Sequence, residues 1–292
     1  MTTYREASVK PQKGSLKNKT SFYYPLLLLP SEKRDAMETL YHFCWEADEI
    51  ADGPGTPAEK RQKLSHFKRS LEDAIQGKTK EPLFKKMQDL IAQYKISPEP
   101  LRRTLKGVER DLRPVRFAKF DELHEYALQV AGGPGLASME VFGYKDQAHR
   151  GYAENLGVFL QLVNIVRDFK EDLALGRQYL PSEDFARFHL NPRLIEEGNS
   201  LWKPFVEFQL DRALSYLKKA RGYLNPSARS RLVTAEAIAA VYLKLFQKLR
   251  TNPDRILRGQ TRLSKADKLI SVFGAICSCF LWKWTSKTNF EL

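Results

Sequence analysis

Apolar positions along this chain recur at three- and four-residue intervals almost from end to end, and strand-like alternation is nearly absent. The first clear element opens at Ser31-Glu32-Lys33-Arg34 after Pro30 and keeps helical period to Asp52, where Gly53-Pro54-Gly55 stops it. The same period predicts helices near 57–76, 81–94, 98–111, 119–142, 145–174, 201–223, 228–250 and 264–284. Gly77, Ser97-Pro98, Pro114, Gly143, Gly176, Pro181 and Asn252-Pro253 punctuate them. Ala131-Gly132-Gly133-Pro134-Gly135 falls inside the 119–142 pattern, where a kink is expected. No strand precedes that glycine cluster and its spacing is wrong for a dinucleotide loop. The pattern implies an all-α bundle of many antiparallel helices, with no internal repeat and no long linker.

Two acidic pairs stand out against this pattern. Asp48 and Asp52 lie four residues apart, as do Asp168 and Asp172. At ~100° per residue, Tyr41, Trp45, Asp48 and Asp52 share one narrow stripe of the first helix. Gln161, Asn164, Asp168 and Asp172 share another, with Glu171 at its border and Arg167 to one side. Leu156, Phe159, Leu160 and Val163 surround the second stripe, which therefore faces inward. Either pair alone fits a solvated helix face. Two pairs, each backed by amide, aromatic or arginine side chains, need a cation or a donor between them. Hard carboxylate oxygens select Mg²⁺, which keeps part of its coordination for water and phosphate. The expected centre is carboxylate–Mg²⁺–diphosphate on two facing helices.

Composition narrows the partners. The 292 residues carry 48 Lys+Arg against 35 Asp+Glu, a net charge of +13, which suits phosphorylated substrates or an anionic lipid surface. Basic residues are scattered rather than clustered on one face, so nucleic acid is not an expected partner. Cys44, Cys277 and Cys279 make no disulfide framework or metal cluster, as befits a reducing compartment. The N-terminal stretch is polar and basic and lacks the apolar core of a secretory signal. Leu269–Trp284 is nearly all apolar, with Lys265, Lys268, Lys283 and Lys287 around it. It is short of the ~20 residues a spanning helix needs, and two readings remain: an interfacial helix or a buried terminal one. The expected organisation is a flexible segment over 1–18, a synthase domain over 19–268 and an apolar, basic tail over 269–292.

At the acidic motifs the sequence resembles the squalene/phytoene synthase family of head-to-head prenyl transferases. The resemblance rests on Tyr41-His-Phe-Cys-Trp-Glu-Ala-Asp48-Glu-Ile-Ala-Asp52 and on Gln161-Leu-Val-Asn164-Ile-Val-Arg167-Asp168-Phe-Lys-Glu171-Asp172, followed by Gly176-Arg177-Gln-Tyr179-Leu-Pro181. Ser21-Phe22-Tyr23-Tyr24 and Tyr126 add to it, and it runs over about residues 18–270. It implies an isoprenoid-synthase fold around a central cavity, prenyl diphosphate substrates and Mg²⁺ as cofactor. It assigns the metal to Asp48, Asp52, Asn164, Asp168 and Asp172, with Tyr41 joining the four aspartates in catalysis. Substrate contacts are implied for Ser21, Phe22, Trp45, Tyr126, Gln161, Asn164, Arg167, Arg177 and Tyr242. Ser21-Phe-Tyr-Tyr and the Leu263–Leu269 run most resemble presqualene diphosphate synthase of bacterial hopanoid pathways. That implies condensation of two farnesyl diphosphates, in the cytoplasm and peripheral on the inner face of the membrane. Synthesis of phytoene or dehydrosqualene, or a non-catalytic assembly role, are the alternatives. NADPH is not expected, since no nucleotide-binding signature accompanies the motifs. Nothing in the pattern fixes the oligomeric state. Trp45 departs from the family's common Arg, and Asp48-Glu49 from its paired aspartates.

Overall fold

In a computed structural model of the chain, residues 22–259 and 261–288 are described, with side chains through residue 280. Ser21 and the 1–18 segment lie outside the described residues. The order is α1 (Tyr23–Leu26), α2 (Ser31–Asp52), α3 (Pro57–Ile75), α4 (Pro82–Tyr94), α5 (Pro98–Arg110), α6 (Phe120–Ala127), a π-turn (Leu128–Gly132) and α7 (Gly133–Phe142). Then come α8 (Gln147–Arg167), α9 (Phe169–Ala174), α10 (Ser182–Arg187), α11 (Trp202–Gly222), α12 (Pro226–Ser230), α13 (Val233–Thr251), α14 (Asp254–Leu257) and α15 (Lys265–Thr288). The described residues form no strand; a lone parallel bridge joins Arg116 to Gln178. The all-α expectation holds.

Local chemistry fixes the ends of the helices that matter. Helix α2 stops just past Asp52 because Gly53, after closing a last 2.8 Å bond to the Glu49 carbonyl, turns extended (φ −67°, ψ 174°) ahead of Pro54. A Cβ at Gly53 would sit 2.6 Å from that oxygen, so a side chain there would force the turn open. Helix α3 starts with a capping box: Glu59 takes the Thr56 N–H at 2.7 Å and Thr56 Oγ1 takes the Glu59 N–H at 3.3 Å. Buried Glu140 of α7 caps α5 by accepting both the backbone N–H and the hydroxyl of Ser97, at 2.6 and 2.7 Å.

Three expected helices differ in detail. The 145–174 pattern is broken at Asp168, whose φ of −94° and ψ of 10° separate α8 from α9. Bonds from Asp168 N–H to Asn164 and from Asp172 N–H to Asp168 carry the chain round at 2.8 and 2.9 Å. The 119–142 pattern contains a π-turn rather than a simple kink. Pro134 has no N–H for the carbonyl four residues back, and Gly133 N–H reaches five back, to Leu128. The segment expected over 228–250 divides into α12 and α13.

Burial is organised in two main clusters. One joins α2, α3, α4 and α5 through Phe43, Leu64, Phe67, Phe84, Met87 and Leu105. Its three aromatic rings meet at centroid distances of 4.8–6.4 Å. The other joins α6 through α13 through Tyr152, Phe159, Trp202, Phe205 and Leu245. Helix α7 belongs to both, giving Ala137 and Val141 to the first and Leu136 and Met139 to the second. Helices α13 and α15 enclose a smaller third cluster of Ala237, Val241, Val272 and Ala275. The acidic pair of α2 thus comes from the first cluster and the acidic pair of α8–α9 from the second.

Candidate active site

Between the two main clusters lies a cavity of about 260 Å³. Asp48, Asp52, Asp168 and Asp172 all line it, together with Gln161, Asn164, Tyr126 and Arg177. Residues some 120 positions apart therefore face one hollow. Ala51, Val130 and Ile165 supply its apolar wall, and Asp111 and Tyr179 complete it. Asp111 does not figure in the sequence reading, and Tyr179 figures there only within the Gly176–Pro181 motif, with no role given to it. Asp111 lies at the end of an amphipathic helix with no acid four residues before or after it, so it makes no pair of the kind that marks the other four.

Short polar links hold the walls together. Arg177 donates to Asp52 Oδ1 at 2.6 Å and to the backbone carbonyls of Ala51 and Asp111 at 3.4 and 3.3 Å. Gln178 N–H bonds the Val115 carbonyl at 2.8 Å, which anchors the Arg177–Tyr179 loop beside Asp111. Arg167 forks onto Asp168, with Nε on Oδ1 at 2.6 Å and Nη2 on Oδ2. Asp111 accepts the hydroxyls of Tyr126 and Tyr179 at 2.8 and 2.7 Å.

The electrostatics are one-sided. Five carboxylates and a single guanidinium line the hollow. Burial, then repulsion from Asp52 and Asp111, pushes Asp48 up to about 8. Burial and then the Asp168 charge push Asp172 up to about 8 as well. Asp48 is nevertheless exposed on its cavity side, so the upward direction rests as much on the neighbouring carboxylates as on burial. Burial raises Asp111 too, against the lowering effect of its two tyrosine bonds. The Asn164 Oδ1 atom is buried and has no partner among the described residues. An acidic wall and an orphaned amide oxygen are what a hard divalent cation satisfies.

Among the described residues, no three Asp, Glu, His or Cys side chains converge closely enough to enclose one ion. The donors come two at a time, from opposite walls. Mg²⁺ accepts that arrangement, since it binds through one or two carboxylates and completes its shell with phosphate and water. The donor set fits the cation together with a phosphorylated ligand, not a cation alone.

Five of the expected site residues do not line the cavity. The Trp45 ring stacks on His42, with centroids 5.7 Å apart and planes 6° from parallel, and His42 in turn faces Glu46 at 3.5 Å. Phe22 stacks on Tyr242 at 6.0 Å. Burial raises the buried Tyr242 hydroxyl, while Arg167 and a bond from Asn164 pull it down, so Tyr242 and Arg167 form a layer behind the cavity wall. Tyr41 is half-buried, and it and Arg167 are absent from the lining. For Tyr41 and Trp45 the physical reason is the helix itself: a stripe that runs to Asp52 leaves its first turns well up the axis from its last.

The squalene/phytoene synthase family profile matches residues 16–267. The chain is 29% identical over 266 residues to 15-cis-phytoene synthase of Synechococcus elongatus, covering 86% of each. A crystal structure of a dehydrosqualene synthase in complex with ligand superposes with a TM-score of 0.76 at 23% identity, over 89% of this chain and 91% of that one. Squalene synthase HpnC from Alicyclobacillus acidocaldarius follows with a TM-score of 0.67 at 24% identity, over 83% and 90%. The fold is the isoprenoid-synthase fold, and this chain belongs to the squalene/phytoene synthase family of prenyltransferases.

Proposed function

We propose that the protein condenses two farnesyl diphosphates head to head, with Mg²⁺, to give presqualene diphosphate. The observation that carries this reading is the meeting of both aspartate pairs, Asn164 and Arg177 on one hollow. Asp48 and Asp52 on one wall, and Asp168, Asp172 and Asn164 on the other, would hold the metal. When bound, Mg²⁺ neutralises diphosphate charge and favours departure of the leaving oxygen. Arg177 is placed to exchange Asp52 for a diphosphate oxygen, since its guanidinium already faces the cavity. Arg167 orients Asp168 from behind. Gln161 offers amide hydrogens to the same ligand.

Loss of diphosphate from the donor leaves an allylic cation that must meet an alkene before it meets water. Val130, Ile165, Tyr126 and Tyr179 put apolar surface and π faces on the wall where that positive charge would develop. C1 of the donor bonds across the C2–C3 double bond of the acceptor. Loss of a proton then closes the cyclopropane, and the acceptor keeps its diphosphate. The reading stops there, without NADPH.

One observation favours a second reading, because the cyanobacterial relative is a 15-cis-phytoene synthase. Farnesyl and geranylgeranyl diphosphates offered in competition, with and without NADPH, separate the two by product. Presqualene diphosphate from the C15 substrate supports the first reading; exclusive use of the C20 substrate replaces it with the second.

Prenyl substrates of this length partition into membranes, and α15 carries a surface for one. Its inner face packs on α13, while Leu269, Ile270, Phe273 and Phe280 are 50–70% exposed on the outer face. Leu27 and Leu28, beside α1, are exposed as well. Arg262 and Lys265 are exposed at the start of this face. An apolar stripe with basic residues at its head fits an anionic lipid surface. No helix among the described residues is long and apolar enough to cross a membrane.

A further inference from the structure

Asp111 has no place in the metal reading, yet it sits on the cavity wall with both carboxylate oxygens engaged. Tyr126 Oη–H donates to Oδ2 and Tyr179 Oη–H to Oδ1. The two rings are stacked, with centroids 5.1 Å apart and planes 20° from parallel, and Phe117 packs on both. All three rings are buried. The Asp111 backbone is held too, by Arg177 on its carbonyl and by its own N–H on Val108. Helix α5, helix α6 and the loop after α9 therefore converge on this one carboxylate.

The direction of these bonds decides what the tyrosines can do. A phenol has one hydrogen to give and lone pairs to receive with. The two hydroxyls also lie within reach of each other, but a carboxylate is the stronger acceptor and takes both protons. With their hydrogens turned to Asp111, Tyr126 and Tyr179 cannot donate to a diphosphate oxygen. They present lone pairs and electron-rich rings to the hollow instead, which suits positive carbon and not phosphate.

We propose that Asp111 is a positioning residue that fixes Tyr126 and Tyr179 as electron-rich acceptors for the cationic stage of the reaction. This rests on the prenyl-transfer reading of the site. It divides the cavity by charge: the aspartate pairs and Arg177 handle diphosphate, and the Asp111 pair handles the allylic cation.

The test uses the full chain with farnesyl diphosphate and Mg²⁺, comparing wild type, Asp111→Asn, Tyr126→Phe and the double variant. Product from wild type establishes the prenyl-transfer reading; if wild type makes none from farnesyl or geranylgeranyl diphosphate, that reading fails first. Given an active wild type, Asp111→Asn should leave KM and the calorimetric affinity for inorganic diphosphate with Mg²⁺ within about twofold. It should lower kcat about 10²-fold, the scale of one lost electrostatic contact at a reacting centre, and raise the share of water-trapped farnesol. The double variant should be no slower than Asp111→Asn. Wild-type kcat in Asp111→Asn, a loss of diphosphate affinity, or additive effects in the double variant would each overturn the assignment. If Asp111→Asn fails to fold, Tyr179→Phe carries the same product ratio: more farnesol supports the proposal, and an unchanged ratio overturns it.

Discussion

The chemistry of single residues turns on how the cavity stores negative charge. Asp48 and Asp172 are both raised from the ordinary 3.8 to about 8 in the folded protein, by burial first and neighbouring carboxylates second. Between those values the folded protein holds protons that the unfolded chain has released. The contribution of these groups to stability is therefore full below 3.8 and is lost as pH rises through about 8. In EDTA, the Asp48→Asn/Asp172→Asn variant should gain Tm over wild type as pH is raised across that window, and a pH-independent difference would refute the shifts. On the proposed reading the same acids hold Mg²⁺ during turnover. Asp172→Asn alone should lower kcat about 10²- to 10³-fold, the range for losing one charge-stabilising group. Trp45 is the residue at which the chain departs from the family's common Arg. Its indole lies on His42 rather than in the cavity. Trp45→Arg should raise turnover or tighten diphosphate binding, and a tenfold loss would give the indole a function of its own.

At the scale of elements, the site depends on two irregularities in otherwise regular helices. The break at Asp168 turns α9 away from α8, and the π-turn carries Val130 into the wall. Gly157 of α8 lets that turn pack close: a Cβ there would meet the Ala131 carbonyl oxygen at 2.7 Å and Gly132 N at 2.9 Å. Gly157→Ala should cost about 1–3 kcal/mol, as overpacking against backbone does. Chemical denaturation would read this, and a neutral substitution would contradict the close approach. These irregularities also mark the limits of sequence reading. The four aspartates were legible because i,i+4 acid pairs are costly and were repeated on two amphipathic helices. The helix ends at Gly53 and Gly143 were legible through their glycines. The break at Asp168 was not, because Arg167-Asp168-Phe169 contains neither Gly nor Pro. Asp111, and its contact with the Tyr179 of the Gly176–Pro181 motif, were hidden because only the fold brings the end of α5 to the loop after α9.

The whole molecule sets one cavity between two apolar clusters and carries an amphipathic helix on the outside. The sequence left open whether the terminal segment is interfacial or buried. The structure gives it both faces, one packed on Val241 and Ala237 and the other exposed at Ile270 and Phe273. Deleting 269–292 would therefore strip Val272 and Ala275 from a packed cluster as well as remove the outer face. Point changes are the cleaner test. Ile270→Gln/Phe273→Gln should weaken binding to vesicles containing phosphatidylglycerol about tenfold, in line with the loss of two exposed apolar side chains from an interface. Tm should stay unchanged; unchanged vesicle binding would remove α15 as the docking face.

The measurement closest to the centre of the account is a stoichiometry. Purified protein is given farnesyl diphosphate with and without Mg²⁺, and released diphosphate is counted against substrate consumed while the product is identified. The account predicts Mg²⁺-dependent release of one diphosphate for every two farnesyl groups joined, with a cyclopropyl diphosphate as product. Release matched one for one by farnesol, with no carbon–carbon bond formed, would contradict it.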